Sequence, residues 1–366
     1  MRIAIEAQRI FRKEKHGMDY VVLEIIRELQ KIDFNNEYYI IVSPGDDICL
    51  YETHNFHIVI VNGNIYPIWE QIALPWTIKK INPDILHCTS NTAPILCNTP
   101  LILTLHDIIF LENRYGKNKS LYQTLGWHYR KFIVPRILKK CKKIITVSDY
   151  ECRHISKTLK IDKKKLCYVY NGYSPHFHMN NNESDKNDSY ILFFGNTDPK
   201  KNTANVLIAY NEYLKRSKNR LRLMIVDLKE SIINQYLEDL NIEEIKNMIY
   251  CPGYISNNKL PEIYNNAFAF VYTSLRESFG IPILESMACG TPVITSKISA
   301  MPEIAGREGI LINPYNPSEV ADSIIKLEEN KEFYNSQVEY GLNRVKDFSW
   351  NNAAKNILNI YNTLLS

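Results

Sequence analysis

Two carboxylates eight residues apart, Glu277 and Glu285, belong to the stretch 274–295, which reads SLRESFGIPILESMACGTPVIT. Pro282 suits the first position of a helix, because its fixed φ is helical and its missing N–H is not needed there. Gly290 suits the left-handed residue that follows the end of such a helix. We therefore predict Glu277 on a loop and Glu285 in the first helical turn. Both would lie near a helix N-terminus, which favours negative charge with or without a ligand.

A second group of polar residues follows a predicted strand over 190–194. Gly195 would let the backbone turn sharply and a ligand come close. Lys200 and Lys201 would place positive charge at the start of a predicted helix over 202–216, where it opposes the helix dipole. A bound phosphate would relieve that local conflict. A solvated lysine pair with no ligand fits the same residues.

A third candidate is the pair His106 and Asp107, which comes directly after a predicted buried strand over 101–105. Adjacent residues in a loop can both face one cleft, so the pair could carry chemistry. The alternative is that Asp107 caps a turn and the histidine is incidental.

The composition is that of an ordinary globular protein, with 45% hydrophobic and 23% charged residues in 366. This length favours two domains. A formal net charge of +4 is too small to argue for nucleic acid by itself. The eight cysteines are scattered without C-x-x-C spacing, which indicates reduced thiols in a cytoplasmic protein. No D-x-D triplet or cluster with metal-ligand spacing occurs in the sequence, so we predict no metal site.

The sequence predicts no signal peptide and no membrane-spanning helix, because its apolar runs are short. Residues 130–165 are strongly basic, with thirteen Lys and Arg against three Asp and Glu. Apolar residues interleave with this charge, and the pattern predicts a basic amphipathic surface that could meet anionic lipid at the inner membrane face. We predict no binding to nucleic acid, since regularly spaced stacking aromatics are missing from the sequence. The interleaved apolar residues are Phe132, Ile133, Val134, Ile137 and Leu138.

Predicted strands and helices alternate along the chain, which favours parallel sheets in an α/β fold. The polar run NNNESDKNDS divides the alternation into two series. We therefore predict two Rossmann-like, doubly wound domains. The first domain comprises residues 1–175 with 347–366, and the second comprises residues 190–346. Residues 176–189 form the linker between them. Ligands of such sheets bind beyond the carboxyl ends of the strands, where these polar groups fall.

Taken together, the motifs resemble those of glycosyltransferase family 4, the retaining sugar-nucleotide transferases of the GT-B fold. The resemblance covers most of the chain and is strongest over 194–314. It implies two domains that face a cleft and a last helix that crosses back to the N-terminal domain. The matching segments are the Glu-x7-Glu stretch, Thr104–Asp107, Thr146–Ser148, Tyr170–Gly172, Pro252–Ser256, Met301–Gly306 and Phe348–Trp350.

The resemblance also implies roles for individual residues. Glu285 would bind the ribose hydroxyls of the nucleotide, and Glu277 would hold hydroxyls of the donor sugar. Lys201 would neutralise the leaving diphosphate without a metal. His106 would contact the donor sugar near its 6-position. Further donor-binding residues would be Gly17, Gly195, Asn196, Lys200, Ile255 and the backbone N–H groups of Phe279, Gly280 and Ile281.

The activity that this resemblance implies is sugar transfer with retention, without a cofactor, from a nucleotide diphosphate to an acceptor hydroxyl. GDP-mannose is the first expectation, because the segments 104–107 and 198–202 look like those of bacterial surface-polysaccharide mannosyltransferases. The acceptor would be a glycan or a lipid-linked glycan. The alternatives are a sugar-nucleotide epimerase or hydrolase, and a non-catalytic sugar-nucleotide or lipid-surface binding protein.

Overall fold

The structure is a computed structural model that describes residues 1–63, 65–112, 121–180 and 189–364, without the side chains of 121–123. The chain divides into two compact units. Unit 1 comprises Met1–Gly172 and Trp350–Ser366, and unit 2 comprises Tyr173–Ser349. Most of the predicted linker, residues 181–188, lies outside the described residues. The domain bounds drawn from the sequence therefore stay a prediction.

Unit 1 contains a parallel sheet of seven strands in the order β3-β2-β1-β4-β5-β6-β7. The strands are short and carry mostly buried apolar residues, as expected of a parallel sheet that is covered on both faces. The strand predicted over 101–105 is observed at Leu101–Thr104. The strands are β1 (Arg2–Glu6), β2 (Glu37–Val42), β3 (Phe56–Ile60), β4 (Ile85–Cys88), β5 (Leu101–Thr104), β6 (Lys143–Thr146) and β7 (Leu166–Tyr168).

Unit 2 contains a second parallel sheet, of six strands in the order β10-β9-β8-β11-β12-β13. In each sheet the first strand of the unit lies in the interior. The following strands are added on one side of it and the later strands on the other side, which is the doubly wound pattern. The fold class predicted from the sequence is confirmed. The strands are β8 (Tyr190–Phe194), β9 (Arg222–Val226), β10 (Ile249–Gly253), β11 (Ala267–Tyr272), β12 (Val293–Ser296) and β13 (Ile310–Ile312).

The described part of the chain contains thirteen α-helical segments, with short 3-10 turns between some of them. A π-helical turn, Trp69–Ala73, joins α2 to α3. The helices are α1 (Gly17–Ile32), α2 (Tyr66–Ile68), α3 (Leu74–Ile81), α4 (Leu121–Lys140), α5 (Asp149–Leu159), α6 (Thr203–Arg216), α7 (Glu230–Leu240), α8 (Leu260–Asn266), α9 (Ile281–Ala288), α10 (Met301–Ala305), α11 (Pro317–Glu329), α12 (Lys331–Arg344) and α13 (Trp350–Leu364).

The last helix, α13, returns to unit 1 and packs on α1, as the resemblance implied. Helix α1 begins at Gly17, two residues before Asp19. The Asp19 carboxylate accepts a hydrogen bond from the His16 N–H over 2.9 Å. Asp19 therefore stabilises the first turn from inside the helix rather than starting it.

The basic stretch 130–165 differs from its prediction. Four of its five interleaved apolar residues pack into the core of unit 1, namely Ile133, Val134, Ile137 and Leu138. Phe132 alone of the five is exposed. Helix α4 turns its apolar side inward because that side packs against the other buried residues of unit 1, so this stretch presents charge outward with little apolar surface.

The eight cysteines all lie within the described residues and form no disulfide. Of the helices in the described ranges, each is too short or too polar to cross a bilayer.

Candidate active site

The candidate site of unit 2 lies where the order of its strands reverses. Strand β8 is the first strand of the unit, and its neighbours are β9 on one side and β11 on the other. The loop 195–202 leaves the carboxyl end of β8, and the loop 273–280 leaves that of β11. Ligands of doubly wound sheets bind in the crevice between two such loops. The topology therefore brings together the two groups of polar residues that the sequence placed almost eighty positions apart.

Lys201 and Glu277 form an ion pair across these two loops. The Lys201 Nζ lies 2.6 Å from Glu277 Oε1, and the side chains are 25% and 17% exposed. The same ammonium lies 5.3 Å from the centre of the Tyr272 ring at the end of β11. The pair is partly shielded from water but still reachable, so both groups can exchange partners with a polar ligand.

The loop that carries Glu277 is held by Ser299, which follows β12. The Glu277 N–H donates to Ser299 Oγ over 3.1 Å, and the Ser299 hydroxyl donates to the Glu277 carbonyl over 2.7 Å. A second link joins the two loops, where the Leu275 N–H donates to the Lys200 carbonyl over 2.6 Å. These bonds hold the backbone of the Glu277 loop in place.

The two lysines have carboxylate partners within the protein. Lys200 Nζ lies 3.8 Å from Asp198 Oδ2, and Lys201 pairs with Glu277. The conflict between the lysines and the dipole of α6 is therefore met by these carboxylates, and it does not require a bound phosphate. Asn196 shapes the same loop, since its Oδ1 accepts from the Asp198 N–H over 2.9 Å.

Gly195 is required for packing. A Cβ atom at this position would stand 2.6 Å from Leu228 Cδ1 and 2.7 Å from Ile225 Cγ2. The absence of a side chain thus lets the loop after β8 pack against side chains at the end of β9 and just beyond it. This requirement is independent of any approach by a ligand.

Glu285 lies in the second turn of α9, not in the first as predicted, because the helix begins at Ile281. The Tyr264 hydroxyl donates to Glu285 Oε2 over 3.1 Å. Burial raises the pKa of the Glu285 carboxyl to about 7, although the Tyr264 hydrogen bond acts in the opposite direction. This carboxyl therefore changes its charge near neutral pH.

Helix α9 is preceded by Gly280, whose φ of 108° favours glycine. The first N–H groups of a helix have no acceptor within it, so the N–H groups of Gly280 and Ile281 suit an anion. The Phe279 side chain is buried, with its ring centre 5.9 Å from that of Phe348. Ile255 is half-buried in the loop that follows β10.

The predicted residues of unit 1 are His106 and Gly17. His106 is buried, and its Nε2 lies 3.0 Å from the Thr89 carbonyl oxygen. Since a carbonyl only accepts, Nε2 carries the proton and Nδ1 keeps its lone pair. Burial lowers the pKa of His106, while the Thr89 carbonyl raises it. Gly17 is exposed at the start of α1, where a Cβ atom would meet nothing within 4 Å.

Sequence reasoning missed three side chains that support the unit 2 site, namely Tyr264, Tyr272 and Ser299. Each lies outside or at the margin of the motifs considered. Tyr272 was visible only as the last residue of a strand, and the other two come close to the glutamates through the fold. The structure brings Lys201 and Glu277 together, and it places His106 and Gly17 in unit 1.

Comparisons with known proteins cover both units. The family model described as "Glycosyltransferase Family 4" matches residues 16–177, and that described as "Glycosyl transferases group 1" matches 176–344. O-antigen chain mannosyltransferase B of Escherichia coli is 27% identical over 277 residues, which are 72% of this chain and 70% of that protein.

Two solved structures share the fold over nearly the whole chain. Sucrose-phosphate synthase from Thermosynechococcus elongatus has a TM-score of 0.76 at 16% identity and covers 100% of this chain and 99% of its own. Anabaena Alr3699/HepE, in complex with UDP and glucose, has a TM-score of 0.72 at 16% identity and covers 99% of this chain and 100% of its own. The two family models together leave only short ends unmatched, and the chain therefore belongs to glycosyltransferase family 4 and is a retaining glycosyltransferase.

Proposed function

We propose that this glycosyltransferase moves mannose from GDP-mannose to a hydroxyl of a glycan or lipid-linked glycan, without a metal, in the synthesis of a surface polysaccharide. The ion pair of Lys201 and Glu277 at the reversal point of the second sheet is the observation that carries the proposal. The pair offers an ammonium for phosphate and a carboxylate for sugar hydroxyls within one contact distance.

Lys201 would act on the leaving group. Breaking the bond between the sugar and the diphosphate places negative charge on the diphosphate oxygens. A fixed ammonium stabilises that charge more strongly in a partly buried site than in water. Lys201 is held by Glu277, so little reorganisation is needed when the charge develops.

Glu277 and Glu285 would divide the recognition of the donor. A carboxylate accepts two hydroxyl hydrogen bonds at once, which suits both a sugar ring and a ribose diol. Glu277 lies beside Lys201 and would hold the sugar, while Glu285 in α9 would hold the ribose. The N–H groups of Gly280 and Ile281 would bind the diphosphate between them.

The remaining predicted residues would support the same donor. Gly195 and Asn196 shape the loop after β8, Lys200 adds positive charge to it, and Ile255 lies in the loop after β10. His106 would act from unit 1 through its Nδ1 lone pair, which can accept a hydrogen bond from a sugar hydroxyl.

Mannose is supported by the Escherichia coli mannosyltransferase relative, at 27% identity. The Anabaena structure contains UDP and glucose, and it makes UDP-glucose the principal alternative donor. A thermal-shift series with GDP, UDP and dTDP, each with and without its sugar, tests the choice. A ligand at a hundred times its dissociation constant adds about 2.7 kcal/mol to the free energy of unfolding. GDP-mannose should raise the midpoint temperature of thermal unfolding most. A larger shift with UDP-glucose would contradict the proposed donor.

Transfer itself is tested with Lys201→Ala against Lys215→Ala, because Lys215 is exposed and pairs with Glu244 away from the site. We expect transfer to an acceptor glycan to be lost in the first variant and retained in the second. Equal transfer by both would overturn the role of Lys201. Free sugar or an epimer formed without acceptor would indicate a hydrolase or an epimerase instead.

A further inference from the structure

An apolar ridge lies on the surface of unit 1, formed by Ile65, Ile68, Ile72, Trp76 and Leu96. These side chains are 53% to 80% exposed, although each is large and apolar. Single exposed apolar residues are common, but a contiguous group of them marks a binding surface. The exposure of this ridge therefore indicates that another molecule binds there.

The ridge follows from the way in which one helical segment is packed. Trp69, Leu74 and Ile78 of the segment α2 to α3 are buried in the core of unit 1. Ile68, Ile72 and Trp76 recur every four residues on the side that the core leaves uncovered. The segment thus has two apolar sides, and only one of them is accounted for by folding.

Leu96 extends the ridge beyond the helix. Ile72, Trp76 and Leu96 line one surface groove together with Lys79 and Lys140. Lys140 Nζ donates to the Ile95 carbonyl over 2.6 Å and so holds the Leu96 segment against α4. The apolar side chains and the lysines therefore belong to one continuous surface.

The charged residues that line the groove are both lysines, Lys79 and Lys140. Lys80 Nζ lies 3.4 Å from the centre of the Trp76 ring, and Lys79 is exposed beside it. Within the segments 65–82, 95–100 and 124–143 the sequence contains a single carboxylate, Glu70, and that residue is fully buried. No carboxylate of these segments therefore offsets the lysines at the surface.

We propose that the apolar ridge docks unit 1 on a bilayer that contains anionic lipid. Isoleucine, leucine and tryptophan side chains bordered by lysines are the pattern of surfaces that lie in the interface of a membrane. The apolar side chains enter the acyl boundary and the lysines meet lipid phosphates. The proposal reassigns the membrane contact, since α4 of the basic stretch 130–165 supplies charge and the ridge supplies the buried area.

The test measures co-sedimentation of the whole protein with vesicles of pure phosphatidylglycerol and of pure phosphatidylcholine, in the absence of nucleotide sugar. We expect clear binding to the first and weak binding to the second. The double variant Ile72→Glu/Trp76→Glu should bind phosphatidylglycerol at least about a hundredfold more weakly, because two apolar side chains no longer leave water. Lys79→Gln and Lys80→Gln should each weaken it about fivefold.

Ile48→Glu is the matched control, because Ile48 is 59% exposed on unit 1 but lies outside the ridge. It should bind like the wild type. Leu96→Glu is a second disruptive variant with a side chain that is 80% exposed, and it guards against misfolding of the double variant. Unchanged thermal shifts with nucleotide show that unit 2 remains intact, so this test can fail without the proposed sugar transfer failing.

Three outcomes would overturn the proposal. The first is wild-type protein that does not sediment with phosphatidylglycerol, and the second is ridge variants that sediment as well as wild type. The third is a concentration-dependent dimer that the ridge variants abolish while vesicle binding persists, since the ridge would then cover a second copy of the chain.

Discussion

The carboxylates Glu6 and Glu70, near the carboxyl edge of the first sheet, are buried among partners within unit 1, whereas Lys201 and Glu277 at the same edge of the second sheet stay partly exposed. In unit 1, Glu6 is 1% exposed and Glu70 is completely buried. The Glu70 carboxylate accepts hydrogen bonds from Gln71 and from the hydroxyls of Tyr66, Thr92 and Tyr129. Glu70 therefore holds together segments that are distant in sequence.

His87 shows the same behaviour in unit 1. Its Nδ1 lies 2.6 Å from the Tyr361 hydroxyl and its Nε2 lies 2.7 Å from the Thr104 hydroxyl. Burial lowers the pKa of His87 to about 3, so the ring is neutral and bridges β4, β5 and α13. A buried histidine at a strand end is here a structural link between elements.

The contrast teaches that a polar residue at a strand end is not a site by its position alone. In unit 1 Glu6, Glu70 and His87 have hydrogen-bond partners within the unit, which makes their substitution a matter of stability. In unit 2 Lys201 and Glu277 remain reachable, which makes their substitution a matter of activity. Four predictions test this division, and each can be checked against a control.

Lys201→Ala should have the largest effect. Loss of a preorganised group that stabilises the leaving diphosphate should lower kcat about a thousandfold, equal to about 4 kcal/mol. Lys200→Ala should lower it much less, because the Lys200 side chain is more exposed than that of Lys201 and pairs with Asp198 instead of Glu277. Initial rates of transfer with saturating donor provide the measurement. A larger loss in the Lys200 variant would exchange the roles of the two lysines.

Glu70→Ala should lower the free energy of unfolding by about 3 kcal/mol, because it leaves several buried donors without their acceptor. Urea denaturation followed by circular dichroism measures this change. Glu14→Ala is the control, since Glu14 is exposed, and it should change stability by less than about 0.5 kcal/mol. A stable Glu70 variant that loses transfer would show that unit 1 also presents a reactive edge.

Gly195→Ala should destabilise the protein by about 2 kcal/mol, because its Cβ would collide with Leu228 and Ile225. Gly17→Ala should leave stability unchanged, since a Cβ there meets open space. If Gly17 lets the backbone approach the donor, transfer falls in a variant of unaltered thermal midpoint. Thermal denaturation and transfer rates on both variants make this comparison. Full activity of Gly17→Ala would remove Gly17 from the donor site.

Nucleotide affinity should depend on pH through Glu285. The carboxylate form binds the ribose hydroxyls, and burial raises its pKa to about 7. Affinity should therefore rise by up to about tenfold between roughly pH 6 and pH 8. Isothermal titration calorimetry with the nucleotide measures it, and Glu285→Gln should flatten the dependence. An unchanged slope in that variant would assign the titration to another group.

Ionisation of Glu285 has the opposite effect on the free energy of unfolding. Its pKa is higher in the folded protein than in the unfolded chain, so its contribution is complete below the unfolded value of about 4.5 and is lost as pH rises through about 7. The same residue thus gives up stability in the pH range where it gains affinity, which is typical of a group kept for binding.

The alternation of apolar strands and amphipathic helices was sufficient to predict both sheets, because each strand is a short apolar run between polar turns. Helix α12 was missed. Its apolar residues are few, and Phe333 and Tyr334 pack on the core only partly. Glu285 lies in the second turn instead of the first, because α9 begins at Ile281, one residue earlier than expected. The direction of the apolar side of α4 could not be read from the sequence, since core and surface contacts require the same residue types.

By itself the sequence determined the strands, the turns and the chemical types that stand at the strand ends, because these depend on local backbone preferences and on the period of apolar residues. Only the tertiary structure decided which polar groups meet. It paired Lys201 with Glu277 across two strands and enclosed Glu6 and Glu70 among their partners. It also left the apolar ridge at the surface. Those outcomes depend on strand order and on packing, and residues far apart in the chain specify both.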